Sequence, residues 1–578
     1  MSEPSTSQLK AKAKVADTEP IEANAHPGEE DHTGSGDDSE PDLDAEEAAG
    51  AGVGSSSTST LMDTPGTAGK NKKKKRSKAA KALSALKSGA AGKDTIPDDV
   101  VQIVLDKVKA EGGAEVASAD ADAVRMALEQ MKLREVLQGK AGVGGKNRKE
   151  TGGHKFWSTQ PVPQLGEAPP EADGAIEPSK PREEVRQDPY PLPKEFTWSF
   201  LDINQPAELR ELYELLSANY VEDDDETFRF QYSAEFLSWA LKPPGYFKEW
   251  HVGVRVTSSR KLVAFISAVP VRVRVRDSLV TASEVNYLCV HKKLRSKRLA
   301  PVLIKEVTRQ CNLQGVFQAL YTAGVVIPTP VASARYYHRC INIPKLVDVS
   351  FTSVPPTMTQ ARMIRLHKLP DKPRLLEHGL REMEERDVPQ VTNLFERYMK
   401  RFGMAPVYDE ADIAHQFLSG RGEGPRGPDS WKTPREGQVV WTYVVENPKT
   451  NKITDYVSFY SLPSTIMRSP RHNLLNAAYL FYYGTELAFE DGAEPSGRLK
   501  KRLEELIVDA LVIAEHAKFD VMNALTLMDN VSFLQDLRFG QGDGVLNFYL
   551  YNWRTAPLAG MQATRESPAG KGVGVVML

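Results

Sequence analysis

The residues best suited to chemistry lie between Glu284 and Pro301, where a polar loop separates two apolar patterns. The loop carries four cationic side chains, Lys292, Lys293, Arg295 and Lys297. A helical pattern begins directly after it, and the first N–H groups of a helix lack internal partners and attract negative charge. This arrangement predicts a phosphate site, with an ordinary basic surface turn as the alternative.

A second candidate is the last carboxyl group of the chain. Residues 572–578 are apolar, and the α-carboxylate of Leu578 is the only charge among them. An apolar terminus next to two glycines is expected to insert into the protein as a strand or plug. Burying a carboxylate is costly unless it is paired, so this group marks a possible site.

Two further motifs admit both a structural and a functional interpretation. Five consecutive acidic residues occupy positions 222–226. They predict either a solvated loop or an electrostatic trap for a basic peptide. Residues 540–544 read Gly-Gln-Gly-Asp-Gly. They predict a turn with positive φ that joins Leu537 to a strand at 546–553, or a loop that contacts substrate.

The elements that must position these residues follow from their patterns. Residues 285–290 are rich in β-branched and aromatic side chains, which predicts a buried strand. From Arg298 onward, Leu303, Ile304 and Val307 recur at helical spacing, and Pro301 fits the first turn of that helix. The cationic loop therefore lies between a strand and a helix.

Similar patterns along the chain predict an α/β protein. Helices are expected at 206–220, 386–402, 410–418 and 498–518. Antiparallel strands are expected at 247–256, 261–269 and 271–275, and further strands at 317–321, 439–445 and 453–462. The apolar segment 477–483 is rich in aromatic residues.

Composition sets the broad class. The 578 residues include 40% hydrophobic and 26% charged side chains, with a formal net charge of −3, which is typical of soluble globular proteins of two to four domains. Three cysteines, Cys289, Cys311 and Cys340, exclude a disulfide framework and favour a reducing compartment. No apolar run approaches the ~20 residues that a membrane-spanning helix needs.

The first 150 residues are predicted to be a disordered tail with short helical segments at 98–108 and 120–137. An acidic block covers 29–47, and a basic block runs from Lys70 to Lys87. Such a basic block is usually a solvated tail, but it could bind RNA phosphates or acidic lipids, or direct the chain to the nucleus.

Two strings carry a resemblance to a known family. The string from Asn286 to Pro301, with Leu-Cys-Val-His-Lys-Lys-Leu-Arg-Ser-Lys-Arg-Leu-Ala-Pro inside it, resembles the first signature of the glycylpeptide N-tetradecanoyltransferases, the protein N-myristoyltransferases. The string Arg-Phe-Gly-Gln-Gly-Asp-Gly at 538–544 resembles their second signature. The likeness covers 155–578. The cationic loop in the first string also resembles the pyrophosphate loop of GNAT-type acyltransferases, except that Arg298 stands where glycine is usual.

The resemblance implies two fused GNAT-like halves with pseudo-twofold symmetry. The half at 151–360 would bind myristoyl-CoA, and the half at 361–578 would bind a peptide. The implied reaction moves a myristoyl group from myristoyl-CoA to the amine of an N-terminal glycine. The amine would attack the thioester directly, without an acyl-enzyme on Cys289, because that thiol lies in the middle of an apolar strand.

The resemblance also implies roles for residues. In catalysis the carboxylate of Leu578 would be the base, and the N–H groups of Tyr287 and Leu288 would form the oxyanion hole. The residues implied for myristoyl-CoA are His154, Lys155, Phe156, Trp157, Leu288, Cys289, Val290, Ser296, Lys297, Arg298, Leu299 and Ala300. Those implied for the peptide are Tyr220, Val221, Asp223, Asp225, Phe228, Asn286, Tyr321, Thr322, Tyr336, His338, Gly540 and Asp543.

Tyr287 and Tyr337 depart from the aromatic residues usual in the family, which are phenylalanine and tryptophan. The implied partners are myristoyl-CoA as co-substrate and glycine-initiated N-termini of nascent or cleaved proteins, without a cofactor or metal. A cytosolic monomer is expected, with a fraction held on ribosomes through Lys70–Lys87. Two alternatives are a GNAT-type enzyme that uses a shorter acyl-CoA and a non-catalytic ribosome or RNA adaptor.

Overall fold

The structure is a computed structural model that describes residues 154–164, 166–222, 227–295, 297–427 and 429–578. The predicted disordered tail, its two helical segments and the basic block Lys70–Lys87 lie outside the described residues. Three predicted site residues, Asp223, Asp225 and Ser296, lie outside them as well.

One large mixed sheet organises the described part of the chain, and helices pack on its faces. Its strands follow the order β1-β3-β4-β5-β6-β16-β7-β15-β14-β11-β10-β8, with β9 beside β4, and a small sheet has the order β13-β12-β2. The strands are β1 Phe196–Phe200, β2 Phe228–Phe230, β3 His251–Val256, β4 Leu262–Val275, β5 Ser278–Val290, β6 Gln318–Ala323, β7 Ala332–Cys340, β8 Leu380–Glu382, β9 Met404–Pro406, β10 Val440–Asn447, β11 Lys452–Ser461, β12 Ser464–Ile466, β13 Leu474–Leu475, β14 Ala477–Thr485, β15 Val521–Leu525 and β16 Gly540–Tyr551.

The α-helices follow the same chain order. They are α1 Pro206–Asn219, α2 Ala234–Leu241, α3 Leu299–Leu313, α4 Ile343–Asp348, α5 Gln360–His367, α6 Val388–Met399, α7 Glu410–Ala414 and α8 Arg498–His516. Helices α1 and α8 confirm the predicted helices within two residues at each end, and α3 begins one residue after the predicted start at Arg298. Helix α6 begins after a 3-10 turn, Glu385–Asp387, and ends at Met399, three residues short of the predicted Phe402.

The same order of strands and helix occurs twice in the chain. In the first half, antiparallel β3, β4 and β5 are followed by α3 and by β6, which runs parallel to β5. In the second half, antiparallel β10, β11 and β14 are followed by α8 and by β15, which runs parallel to β14. A parallel pair needs a long crossover, and a helix supplies it in both halves. This repeat confirms the predicted α/β fold of two related halves.

The two halves exchange their final strands. Strand β7 leaves the first half to pair with β15, whereas β16 leaves the second half to pair with β6. The two exchanged strands also pair with each other, antiparallel, at the centre of the sheet. Each half is therefore completed by a strand that comes from the other half.

Two predicted strands, 261–269 and 271–275, form the single strand β4. Pro270 lies within it, between the pairs with β3 that end at Ser267 and the pairs with β9 that begin at Val273. At Pro270 the strand therefore has a ladder partner on one side only, where β5 runs. A proline is tolerated at such a position because no ladder bond to its missing N–H is lost.

Two other predicted elements need correction. Strand β3 begins at His251 and not at residue 247, because Lys248–Trp250 forms a 3-10 turn. The predicted helix at 410–418 divides into α7 and a π-helical turn, His415–Ser419.

Candidate active site

A β-bulge in β5 creates the feature with the most direct chemical use. The register with β4 passes from Cys289 opposite Phe265 to Asn286 opposite Ser267, so Tyr287 and Leu288 have no partners in the ladder. Tyr287 has a φ of 57°, in the left-handed region. A bulge of this kind releases backbone groups from the ladder. The Tyr287 N–H hydrogen-bonds to the hydroxyl of Tyr220, which lines the adjoining cavity.

The sheet opens next to this bulge. Strand β5 pairs with β6 only from Ala282 to Glu284, so the two parallel strands have no ladder between them along the rest of β5. A cavity of about 970 Å³ occupies this region. Its walls come from β5, β6, α3 and the second half, through residues that include Val285, Asn286, Leu288, Ile304, Val307, Thr308, Ala319, Tyr321, Thr322, Tyr460 and Tyr479. An elongated apolar ligand with a few polar atoms suits these walls.

The C-terminus ends at the same cavity. Val573, Val575, Val576 and Met577 are buried, and both Met577 and Leu578 line the cavity. Val573 forms an isolated bridge to Met404, and the residues after it form no strand. The expected insertion of the terminus is therefore confirmed as a plug. It brings Leu578 to the wall that also contains Leu288.

The cationic loop leads into α3 as the sequence predicted. Lys292 pairs with Glu222, and the Arg295 guanidinium donates to the carbonyl of Asn219 at 2.5 Å. These contacts fasten the loop to the end of α1. Burial together with the positive charges of Lys261, Lys293 and Arg295 lowers the pKa of His291. The loop therefore has an electropositive environment that favours an anion.

Arg298 is the N-cap of α3 and has left-handed backbone angles, φ 56° and ψ 33°. The GNAT-type pyrophosphate loop that this loop resembles has glycine at this position, and glycine adopts these angles without strain. Leu299 and Ala300 form the first turn of α3 and are buried. Their N–H groups stand at the helix start, next to the cationic loop.

The aromatic segment at the start of the described residues covers one side of the cavity. Trp157 is 3% exposed and lines the cavity, and its ring stacks on Tyr321 at 5.5 Å between centroids. Phe156 packs edge-on against Trp157 at 5.1 Å. The segment that includes His154 and Lys155 therefore both anchors to the body of the protein and contributes to the cavity wall.

A second, smaller cavity of about 380 Å³ adjoins the first. Tyr479 lines both cavities, and the walls of the smaller one also include Val221, Phe228, Ser464 and Asn523. His338 Nδ1 lies 2.7 Å from the side-chain oxygen of Asn523. Both halves of the protein therefore contribute to this second cavity.

The predicted glycine turn is wrong, because residues 540–544 belong to β16. The register between β16 and β7 shifts between Gln541 and Val545, which makes the segment a bulge, and its glycines do not have positive φ. Gly540 pairs with His338, and a Cβ on Gly542 would lie 2.4 Å from the Nε2 atom of His338. Asp543 lies half-buried on the same bulge.

The structure brings many of the predicted residues to the larger cavity and leaves others away from it. Among the described ones, Tyr220, Asn286, Leu288, Tyr321, Thr322, Tyr336, Trp157 and Leu578 line the larger cavity. Cys289 and Val290 are buried in β5 and do not line it. Burial raises the pKa of the Cys289 thiol to about 12, so this thiol is protonated at neutral pH and unsuited to nucleophilic attack.

Sequence reasoning missed several residues of the site. Tyr460 and Tyr479 line the cavity from the second half, and the aromatic character of their strands was the only signal for them. Ile304 and Val307 were assigned only to a helix stripe, which gives the spacing but not the side that faces a ligand. Glu284, next to Leu578, was not singled out at all.

Within the described ranges, no helix is long and apolar enough to cross a membrane. The same residues contain no cluster of three or more histidine, cysteine or acidic side chains placed to hold a metal ion.

Comparison with known proteins identifies the family. The family model described as Myristoyl-CoA:protein N-myristoyltransferase, N-terminal domain, matches residues 175–334, and the model of the C-terminal domain matches 348–576. A glycylpeptide N-tetradecanoyltransferase of Mycosarcoma maydis is 46% identical, with 84% of this chain and 77% of that protein covered. One of Emericella nidulans is 48% identical, with coverage of 80% and 91%.

A solved structure gives the same result. The crystal structure of Saccharomyces cerevisiae N-myristoyltransferase with bound myristoyl-CoA superposes with a TM-score of 0.68 at 46% identity, covering 74% of this chain and 99% of that one. The resemblance carried by the two strings in the sequence is thereby confirmed. The chain belongs to the family of glycylpeptide N-tetradecanoyltransferases.

Proposed function

We propose that the carboxylate of Leu578 is the base for transfer of a myristoyl group to a glycine amine, and that the N–H groups of Tyr287 and Leu288 form the oxyanion hole. The transfer itself follows from membership of the family, which makes this chain an acyltransferase acting from myristoyl-CoA on an N-terminal glycine. One observation supports the assignment of roles above all. The terminal residue and the bulged residue Leu288 line the same cavity.

The sequence of events follows from this arrangement. An N-terminal amine has an ordinary pKa near ~8, so at neutral pH it must lose a proton before it can attack. The Leu578 carboxylate would take that proton. The amine nitrogen would then bond to the thioester carbon while the two N–H groups stabilise the oxyanion, and the C–S bond would break to release CoA as its thiolate. The nitrogen then carries one proton more than an amide needs, and this second proton passes to the thiolate. The carboxylate releases the proton that it collected to solvent.

The placement of the two substrates is supported by the two cavities. The larger cavity is lined by Ile304, Val307 and Thr308 in the middle of α3, and the cationic loop precedes the same helix, which suits an acyl chain joined to a pyrophosphate. The smaller cavity adjoins His338 and the β16 bulge, which suits an extended peptide. The division into an acyl-CoA half at 151–360 and a peptide half at 361–578 stays a prediction, and both halves supply walls to each cavity.

The test is a mass measurement on a glycine-initiated peptide incubated with tetradecanoyl-CoA and, separately, with acetyl-CoA. The expected result is the mass shift of a tetradecanoyl group, and a matched peptide that begins with alanine should stay unmodified. Removing Leu578, or adding residues after it, should abolish the shift. Transfer of acetyl alone would instead favour an enzyme for short acyl chains.

We also propose that the basic block Lys70–Lys87 holds a fraction of a cytosolic, monomeric enzyme on ribosomes. Support comes from its charge, since a run of lysines binds RNA phosphates by releasing counterions. Deleting residues 1–95 should leave transfer to peptide intact and remove salt-sensitive sedimentation with ribosomes. Ribosome binding that survives the deletion would refute this role.

A further inference from the structure

The last residues of the chain are held in an unusual way. The N–H groups of alternate residues, Gly574, Val576 and Leu578, each meet an acceptor on another element. Gly574 donates to the carbonyl of Met404 at 2.7 Å, as in a strand pair. Val576 donates to the hydroxyl of Tyr482 at 3.1 Å, and Leu578 donates to the carboxyl group of Glu284.

Side chains thus replace a partner strand at the point where the terminus reaches the cavity. Tyr482 lies on β14 and is fully buried, and its hydroxyl also shares a hydrogen bond with Tyr408. Glu284 lies on β5 at the last pair of the β5–β6 ladder, opposite Leu320. The two acceptors therefore come from opposite halves of the protein and meet at the terminal segment.

Glu284 has a second contact, with Asn286. The Asn286 amide donates from Nδ2 to Glu284 Oε1 at 2.8 Å. This bond fixes the orientation of the amide and leaves its oxygen Oδ1 as the atom that Asn286 can offer in the cavity. An oxygen acceptor at that wall suits an incoming ammonium group. A single carboxyl group thus contacts both Leu578 and Asn286, which line the cavity that would receive the amine.

We propose that Glu284 is a positioning residue for the transfer reaction, which fixes the terminal carboxylate and the Asn286 amide around the incoming amine. This inference rests on the proposed role of Leu578 as base. An ionised Glu284 also adds a negative charge next to that base, and a like charge nearby raises the proton affinity of a carboxylate. Positioning and charge both favour removal of the proton from the amine.

The environment of Glu284 allows its charge to change near neutral pH. Burial raises the pKa of Glu284 to about 7, against the smaller lowering effects of the Asn286 amide and the Leu578 N–H. The titratable groups that face it are the Leu578 carboxylate, which is the proposed base, and the phenols of Tyr287, Tyr408 and Tyr482. Burial raises the pKa values of all three phenols, so they stay neutral. We therefore expect a rate that rises between pH 6 and 8 as Glu284 ionises.

The experiment compares Glu284→Gln and Glu284→Ala with the wild-type full-length chain in transfer of tetradecanoyl to a glycine-initiated peptide. Glu284→Ala should lower kcat roughly 10²-fold, with an unchanged KM for tetradecanoyl-CoA, because misplacement of a catalytic group by about 1 Å costs that much. Glu284→Gln keeps an acceptor but no charge. It should lower kcat less and lose the rise between pH 6 and 8.

Matched controls separate this role from general stability. Asp509→Asn neutralises another buried carboxyl, which accepts the backbone N–H groups of Arg374 and Leu375 away from the cavity, and it should keep the wild-type pH profile. Tyr482→Phe removes the acceptor of Val576 and should lower kcat. Tyr456→Phe, a fully buried tyrosine on the neighbouring strand β11, should not.

The outcomes are distinct. A wild-type chain that transfers nothing would overturn the proposed function itself. An active wild type with Glu284→Gln or Glu284→Ala at the same kcat and with the same pH profile would overturn the role of Glu284. If Glu284→Ala fails to fold, the isosteric Glu284→Gln carries the test through its pH profile alone.

Discussion

Arg298 shows how one residue can serve a site at the cost of local strain. Its left-handed backbone favours glycine, yet the arginine adds positive charge where the first turn of α3 begins. We predict that Arg298→Gly is more stable to unfolding than Arg298→Ala by about 1 kcal/mol, because a Cβ is strained at these angles. Urea denaturation of the two variants measures the difference.

Both of these variants lack the cation, so they differ only in backbone freedom. Equal free energies of unfolding would mean that the residue before α3 does not keep its left-handed conformation in solution. The resemblance to the GNAT-type pyrophosphate loop puts Arg298 where glycine is usual, and the structure supplies the left-handed backbone angle that strains any other residue there.

Residue types and spacing predicted the loop, the helix start and the terminal carboxylate, because each is a local pattern. They did not predict a role for Glu284, because that role depends on its contact with Leu578, which is almost three hundred residues away in the chain. For the same reason the sequence did not predict Tyr460 and Tyr479, because their strands line the cavity only through the packing of the second half on the first.

At the scale of elements, the bulge in β16 offers a matched pair of glycines. A Cβ on Gly542 would lie 2.4 Å from His338 Nε2 and 3.0 Å from the carbonyl oxygen of Tyr336, whereas a Cβ on Gly540 would lie no closer than 3.8 Å to a neighbouring atom. We predict that Gly542→Ala raises KM for the peptide at least several-fold by displacing His338, while Gly540→Ala stays close to wild type. Peptide titrations at saturating tetradecanoyl-CoA measure both values.

Wild-type peptide affinity in Gly542→Ala would show that the bulge and His338 lie apart from the peptide. An equal loss of peptide affinity in both variants would show that the whole segment, and not the contact with His338, limits peptide binding. Tetradecanoyl-CoA binding should be unchanged in both proteins.

Elements with a strong local period were predicted well, and elements that depend on pairing were not. The apolar stripe of α8 fixes the ends of that helix within two residues, and the pattern of α3 fixes the start of that helix within one residue. The extent of β4 across Pro270 depends on which neighbours flank it, and the bulge at 540–544 depends on β7, so neither can be read from a window of sequence.

The exchange of β7 and β16 sets the behaviour of the whole molecule. Because each half is completed by a strand of the other, we predict that both unfold together in one cooperative step. Hydrogen exchange in peptides from β4 and β11 should report the same free energy of opening. If β11 stays protected under conditions where β4 exchanges by global opening, the halves are independent.

The stability of the whole molecule should also depend on pH through a buried histidine. Burial lowers the pKa of His251 to about 4, whereas an unfolded histidine titrates near ~6.5. The unfolded state therefore binds the extra proton first, and stability present above pH ~6.5 is lost as the pH falls toward ~4. We expect a loss of about 2 kcal/mol from this residue by pH 5.

Urea unfolding at pH 7.5 and pH 5.0 measures that loss. The free energy of unfolding should differ between the two pH values by about 2 kcal/mol less in His251→Gln than in the wild type. The difference should stay unchanged in His378→Gln, which alters an exposed histidine. An identical difference in all three proteins would contradict the role of His251.

The proposed mechanism requires the α-carboxylate of Leu578 to act as the base in the cavity beside the β5 bulge. The most direct measurement is the single-turnover rate of a full-length chain whose terminal carboxylate has been converted to a carboxamide, with the ligated carboxylate form as control. We predict that the amide lowers the rate at least about 10²-fold while tetradecanoyl-CoA binds with the same affinity. A carboxamide chain that transfers the acyl group as fast as the control would contradict the mechanism.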